Sequence, residues 1–477
     1  IGFYAVRRVK NSADYLVAGR SLPLYMNTAT VFATWFGAEL ILAVSSTFLK
    51  EGLQGVVGDP FGAAFCLIFV ALFLAAPYYR LKLMTVGDFY KKRYNRTVEL
   101  ASAAAISISY LGWSSANLVA LGIVIHTVSG NAITLEQGIV LGAVIVGIYT
   151  LFGGMWSVAF TDLFQTVIIV AGLIYIAWML AGMAGGVDKV VATAQASDRL
   201  KFFPGASLHD WLGFIAAFVT MALGSVAQQD VFQRVTSART EKIARQGTLL
   251  GGSLYLLMAF IPMFIAVSAL LIDPAMVKQM LSNENDFQQV LPTLILQRTP
   301  LFAQVLFFGA LLSAILSTAS GTLLAPTAVI TENVIQPLWG HKLSDRKMLV
   351  LLRLILIGFT CCVTLFALQS ESSMYQMVQD AYKVTLVAAF TPLVFGMFWR
   401  RATPQGALLS MACGVVAWQY AEHFMSDALV PPQLVGLGSA IVGMIVGSLA
   451  PTLMGGQGHP EIVDLARQPE VADNPPA

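Results

Sequence analysis

Trp35-Phe36-Gly37-Ala38-Glu39 interrupts an apolar run that extends from residue 22 to residue 48. Lipid offers no water to the backbone groups a broken helix frees, or to a carboxylate, so such an interruption is tolerated only where protein or a cavity surrounds it. A second interruption, Leu223-Gly224-Ser225-Val226-Ala227-Gln228-Gln229-Asp230, lies in the run from 208 to 230. Five apolar runs separate the two starts, so the second set of five enters the membrane in the opposite sense. That is the pattern expected of an inverted repeat whose broken helices meet at a mid-membrane site.

The rest of the chain supports a membrane setting. Of 477 residues, 57% are hydrophobic and 11% charged, with a mean hydropathy of +0.73, whereas soluble domains are about 25% charged. Runs of about 20 apolar residues, the length that spans a bilayer, fall near 22–48, 52–78, 98–129, 133–153, 154–184, 208–230, 247–272, 298–335, 347–370, 373–398, 403–425 and 430–455. The expected fold is an all-α polytopic membrane protein of twelve spans. Residues 1–5 read as the end of a truncated N-terminal helix. Residues 22–184 and 208–398 form two five-helix repeats, 403–455 two additional helices, and 456–477 a disordered cytoplasmic tail.

Lys and Arg alternate strongly between the loops: 21 fall on the side of Arg20 and Arg467, six on the other, and Lys383 lies inside a span. Basic loops stay in the cytoplasm, so the C-terminus is expected there, in a multi-pass cell-membrane protein (the inner membrane, if bacterial). A net charge of +2 spread over membrane flanks leaves no basic face for nucleic acid. Cys66, Cys361, Cys362 and Cys413 sit in apolar runs, so no disulfide framework is expected. No Walker-type loop points to an ATP-driven pump.

The densest local chemistry is Ala314-Ile315-Leu316-Ser317-Thr318-Ala319-Ser320 in the eighth span. Neighbouring hydroxyls and a carbonyl one turn earlier can supply three of the hard oxygens an alkali ion needs. The same hydroxyls can equally bond their own helix. The intramembrane charges Glu39, Asp59, Asp162, Asp230 and Lys383 mark a cavity or each other. Lys383 pairs with Asp380 one turn away or reaches a substrate carboxylate or a membrane acid. Asp230 is expected near enough to the cytoplasm to be solvated.

The chain resembles the sodium/solute symporter family, which includes proline, pantothenate, sialic acid and sugar symporters and the animal choline transporter. The matching pieces are Asp14-Tyr15-Leu16-Val17-Ala18-Gly19-Arg20-Ser21-Leu22, Tyr149-Thr150-Leu151-Phe152-Gly153-Gly154, Thr161-Asp162-Leu163-Phe164-Gln165, Phe232-Gln233-Arg234, and Ala314-Ile315-Leu316-Ser317-Thr318 running on to Ile330-Thr331-Glu332-Asn333. The resemblance implies a LeuT-type fold of inverted five-helix repeats and sodium-coupled uptake by alternating access. It places the carbonyls of Ala33, Phe36 and Ala314 and the hydroxyls of Ser317 and Thr318 on a Na+ site. Asp162 with Ser320 forms part of a second such site, although Gly321 stands where some relatives carry a further hydroxyl.

Trp35 and Trp113 resemble cage aromatics of the choline branch, whose third aromatic is replaced here by Ala227. Asp59, twenty residues after Glu39, falls where sugar-transporting relatives have a substrate-contacting carboxylate. With Gln228, Gln229 and Lys383 these residues describe a small polar cavity suited to an amino-bearing solute, zwitterionic or cationic. The expected activity is therefore sodium-coupled import by a monomeric transport unit in the lipid bilayer, not an enzymatic reaction. The alternatives are a monocarboxylate or other organic-solute symporter, or a symporter-like nutrient-sensing domain of a longer signalling protein.

Overall fold

The computed structural model describes residues 9, 11–282, 287–339, 343–425, 428–451 and 459–467. The expected helix end at residues 1–5 lies outside them, as do 452–458 and 468–477 of the tail. Every one of the twelve apolar runs is helical. Nine helices among the described residues are long and apolar enough to cross a membrane, and the bent pair Leu24–Trp35 and Glu39–Gly55 makes a tenth. The two remaining runs carry Leu135–Leu151, which is shorter, and Pro404–Phe424. Trp178, Leu257, Leu301 and Val416, each at least two-thirds exposed, mark the outer surface on which lipid replaces water as the apolar partner.

Breaks occur where the sequence puts polar or conformationally restricted residues. The first span stops at Phe36 (φ −81°, ψ 72°) and resumes, bent by 52°, at Glu39. The sixth span stops at Gly224, passes through a short 3-10 turn and breaks at Gln228 (φ −76°, ψ 141°) before Gln229–Thr236. The second span is also interrupted, at Asp59 (φ −126°, ψ 120°), by the cis bond to Pro60. The boundary expected between residues 153 and 154 is a kink at Gly154, whose φ of +50° and contact with Tyr15 exclude a side chain.

The start of the first span and the end of the sixth are tied together. Leu22 and Ala238 form a parallel bridge through Leu22 N–H to the Ser237 carbonyl and Arg239 N–H to the Leu22 carbonyl, both 3.0 Å. Asn27 Nδ2 donates to the Arg234 carbonyl at 2.7 Å. These bonds hold the two broken spans side by side.

The tail differs from the expected disorder. Glu461–Arg467 is a helix whose Ile462 and Val463 are buried. His459 N–H donates to the Arg93 carbonyl at 3.1 Å, and Asp464 pairs with Arg400 at 3.0 Å. Seven residues give too few turns for a helical apolar period to stand out, and docking supplies the stability that such a short helix lacks alone. All four cysteines are free.

Candidate functional site

Two clusters meet at the first-span break. On one face, Ser317 Oγ lies 3.0 Å from the Ala33 carbonyl and 2.5 Å from Asp162 Oδ1, and Thr318 Oγ1 lies 3.4 Å from the same carbonyl. Gly37 permits this approach, since a Cβ there would run into Thr318 Oγ1. The single proton of the Ser317 hydroxyl cannot satisfy two acceptors at once. Asp162 Oδ2 is buried with no hydrogen-bond partner. This oxygen-rich, proton-poor cluster fits a small hard cation. Ala33, Ser317, Thr318 and Asp162 would hold it.

The other residues expected there take graded positions. Phe36 stands at the break with its ring 4.9 Å from that of Phe32, and Ala314 is fully buried one turn before Ser317. Ser320 donates back to the Ser317 carbonyl at 2.9 Å. Arg234, which falls in the sequence among the basic residues on the side of Arg20, is 2% exposed. Its Nε donates to Thr34 Oγ1 at 2.9 Å, and Nη2 faces Gly321 without a partner. Its charge acts on both Asp162 and Asp230. A buried guanidinium beside two buried carboxylates lowers the cost of all three charges.

The opposite face carries aromatic rings and acids. Trp35, Trp113 and Tyr382 form a triangle with centroid separations of 5.8 Å (Trp35 to Trp113), 6.3 Å (Trp35 to Tyr382) and 5.6 Å (Trp113 to Tyr382). Tyr255 meets Trp35 edge-on at 6.4 Å and Phe36 at 6.2 Å. The Tyr255 hydroxyl donates to Asp59 Oδ1, which places this carboxylate against the rings. Glu39 lies four residues beyond Trp35, across the break. Its Oε1 is buried without a partner.

Lys383 takes the local one of its two expected roles: it pairs with Asp380 at 2.9 Å and with Glu422 at 3.7 Å, so it is not brought to the rings. Three other side chains are engaged away from the rings. Gln229 accepts from Val86 N–H at 2.7 Å and donates to the Met84 carbonyl at 3.4 Å, bracing the loop after the second span. Gln228 bonds Ser109 at 3.0 Å and Thr385 at 3.3 Å. Asp230 is fully buried and accepts from Tyr110 Oη at 2.5 Å rather than reaching solvent.

Tyr382 and Tyr255 are not legible in the sequence, because single tyrosines in apolar runs carry no local signal. Tyr382, in the tenth span, is the third ring of the triangle with Trp35 and Trp113.

Comparison with known proteins agrees with this geometry. Residues 15–414 match the model of the sodium:solute symporter family. The high-affinity proline transporter PutP of Bacillus subtilis (strain 168) is 26% identical over 444 residues, covering 90% of this chain and 91% of that protein. The human high affinity choline transporter 1 is 24% identical over 430 residues, covering 87% and 73%. The solved structure of a Na+-coupled sialic acid symporter in a substrate-bound, outward-open state superposes with a TM-score of 0.79 at 19% identity, covering 94% of this chain and 95% of that one. The fold is accordingly of LeuT type.

Proposed function

The chain belongs to the sodium:solute symporter family, and on that premise we propose that it imports a small amino-bearing solute, cationic or zwitterionic, by alternating access driven by a sodium gradient. Membership makes it a multi-pass membrane transporter rather than an enzyme. The observation that carries the reading is the convergence of the Ala33 carbonyl, Ser317, Thr318 and Asp162 at the break in the first span.

Coupling follows from the short distance along the chain between the two clusters. Na+ bound by the Ala33 carbonyl and the eighth-span hydroxyls would draw the end of the inner half-helix against the eighth span. Trp35 lies two residues further along and Glu39 four beyond that, across the break, so fixing Ala33 orients the ring and the carboxylate that meet the solute. The solute returns the favour by holding Trp35, and the coupling is reciprocal. Phe36 and Ala314 carbonyls complete the proposed ion shell. Ser320 bonding its own helix, and Arg234 facing Gly321, favour one sodium over two. A cell-membrane location, a cytoplasmic C-terminus and a monomeric transport unit belong to the same proposal.

The test is uptake into proteoliposomes of the purified full chain. An inward sodium gradient is expected to drive accumulation of the solute, and Ser317→Ala with Thr318→Ala to abolish it. Equal uptake without sodium under a proton gradient would overturn the reading.

A further inference from the structure

Arg234 is buried, yet the two acceptors it meets are neutral. Nε donates to Thr34 Oγ1 at 2.9 Å and Nη1 to Gln233 Oε1 at 3.4 Å, while Nη2 has no partner. Most of a guanidinium's five N–H donors are thus unplaced, although a buried charge ordinarily faces an opposite one. A free acceptor of the right sign belongs to the proposed ion cluster. Asp162 takes the Ser317 hydroxyl on Oδ1 at 2.5 Å, and its buried Oδ2 takes nothing.

The contacts that fix the guanidinium set it beside that cluster on two helices. Thr34 directly follows Ala33, whose carbonyl meets Ser317 and Thr318. Nη2 lies where Gly321 has no side chain, 2.7 Å from the place a Cβ would take. Gly321 stands four residues after Ser317 in the helix Leu301–Val329, and residues at that spacing share a helix face. The hold is light: one hydroxyl, one long bond to an amide and a gap at Nη2. Thr34 gives its own proton to the Thr30 carbonyl at 2.6 Å, so Nε is tied only to a neutral oxygen.

We propose that Arg234 is an internal stand-in for sodium: when the ion leaves, the guanidinium moves from Thr34 and Gly321 onto Asp162, and sodium must displace it to bind. The arrangement in the structure, with Arg234 on Thr34 and Asp162 Oδ2 unclaimed, is the one that admits the ion. Pairing on release keeps a positive charge opposite Asp162, so the buried carboxylate is not left uncompensated in the empty carrier. The inference deepens the sodium-symport reading and rests on it. Asp230, one turn before Arg234 on the same helix, also has a free Oδ2, and pairing there would leave sodium without a competitor.

The test needs no solute. It is the sodium Kd of the purified full chain in lipid nanodiscs, read from the rise in melting temperature with sodium concentration. Arg234→Gln removes the competitor and is expected to lower the Kd by about threefold or more. Thr34→Val removes the acceptor of Nε, and Gly321→Ala fills the space at Nη2. Both loosen the guanidinium from its present place, and each is expected to raise the Kd by about threefold or more. In the Arg234→Gln background neither substitution should matter, since nothing is left to loosen. If Arg234 is only a brace, Arg234→Gln and Thr34→Val break the same hydrogen bond and shift the Kd in the same direction, which overturns the inference. So does a parental Kd in both Thr34→Val and Gly321→Ala, the result of a guanidinium that turns to Asp230. Those two variants decide by themselves if Arg234→Gln does not fold. A parent protein that sodium does not stabilise sinks the symport reading and this inference together, whereas a sodium-stabilised parent with same-direction variants sinks the inference alone.

Discussion

The two faces of the first-span break are built in opposite ways. The side proposed to bind the ion uses backbone and short side chains: the Ala33 carbonyl, the bare Gly37 and two adjacent hydroxyls of one helix, with Asp162 closing the cluster. The side proposed to meet the solute gathers Trp35, Asp59, Trp113, Tyr255 and Tyr382 from five different spans, with large rings in contact. A dehydrated ion needs oxygens at fixed range and tolerates little change in size. A chamber of rings can repack and lose only part of its contact area. The difference predicts that substitutions on the ion side act nearly all-or-none, and those on the solute side by degrees.

The largest effect is therefore expected for Ser317→Ala with Thr318→Ala. Removing two of about five or six oxygen ligands leaves the ion incompletely solvated, and sodium-driven uptake should fall more than a hundredfold. Sodium-dependent stabilisation should vanish with it. Retention of either would mean that the hydroxyls serve only as helix bonds, and the contrast between the two faces would collapse.

Gly37→Ala comes next. The added methyl improves helix propensity but meets Thr318 Oγ1, and overpacking costs about 1–3 kcal/mol. The sodium concentration for half-maximal uptake should rise about tenfold, with expression unchanged. A variant with normal sodium dependence would show that the contact between the first and eighth spans is not what sets ion affinity.

On the solute side, Tyr382→Ala should raise the KM for uptake about tenfold through loss of ring contact, whereas Tyr382→Phe should change it less than twofold. The Tyr382 hydroxyl has no hydrogen-bond partner, so the ring alone is at stake. Equal effects of the two substitutions would give the hydroxyl a direct role and sharpen the chamber's chemistry.

The same contrast explains what the sequence made legible. Ser317, Thr318 and the break at Trp35 to Glu39 are contiguous signals, each readable within one helix, and the structure sets both hydroxyls at the Ala33 carbonyl just before that break. Asp59 could be placed only by its separation from Glu39, and its partner Tyr255 lies 196 residues away. Arg234 sat among basic residues that follow the cytoplasmic rule, and nothing local distinguishes a guanidinium that turns inward from one that faces the headgroups. The tail helix was illegible because its order comes from docking onto Arg93 and Arg400, not from its own seven residues.

Lys383→Met should have the smallest effect, and it probes where the solute-facing side ends. The side chain is 18% exposed, and its ammonium is held between Asp380, on its own helix, and Glu422 of the eleventh span. A partly exposed ion pair of this kind contributes about 0–1 kcal/mol, and methionine preserves the length of the apolar stem. Uptake KM is therefore expected to shift less than twofold and stability by about 1 kcal/mol at most. If Lys383 instead reached a solute carboxylate, its removal would cost a charge-assisted hydrogen bond, about 1.5–3 kcal/mol or at least a tenfold rise in KM. Measuring KM for the variant separates the two, because one residue's turn, from Tyr382 to Lys383, divides a side chain that meets Trp35 and Trp113 from one that pairs with Asp380 and Glu422.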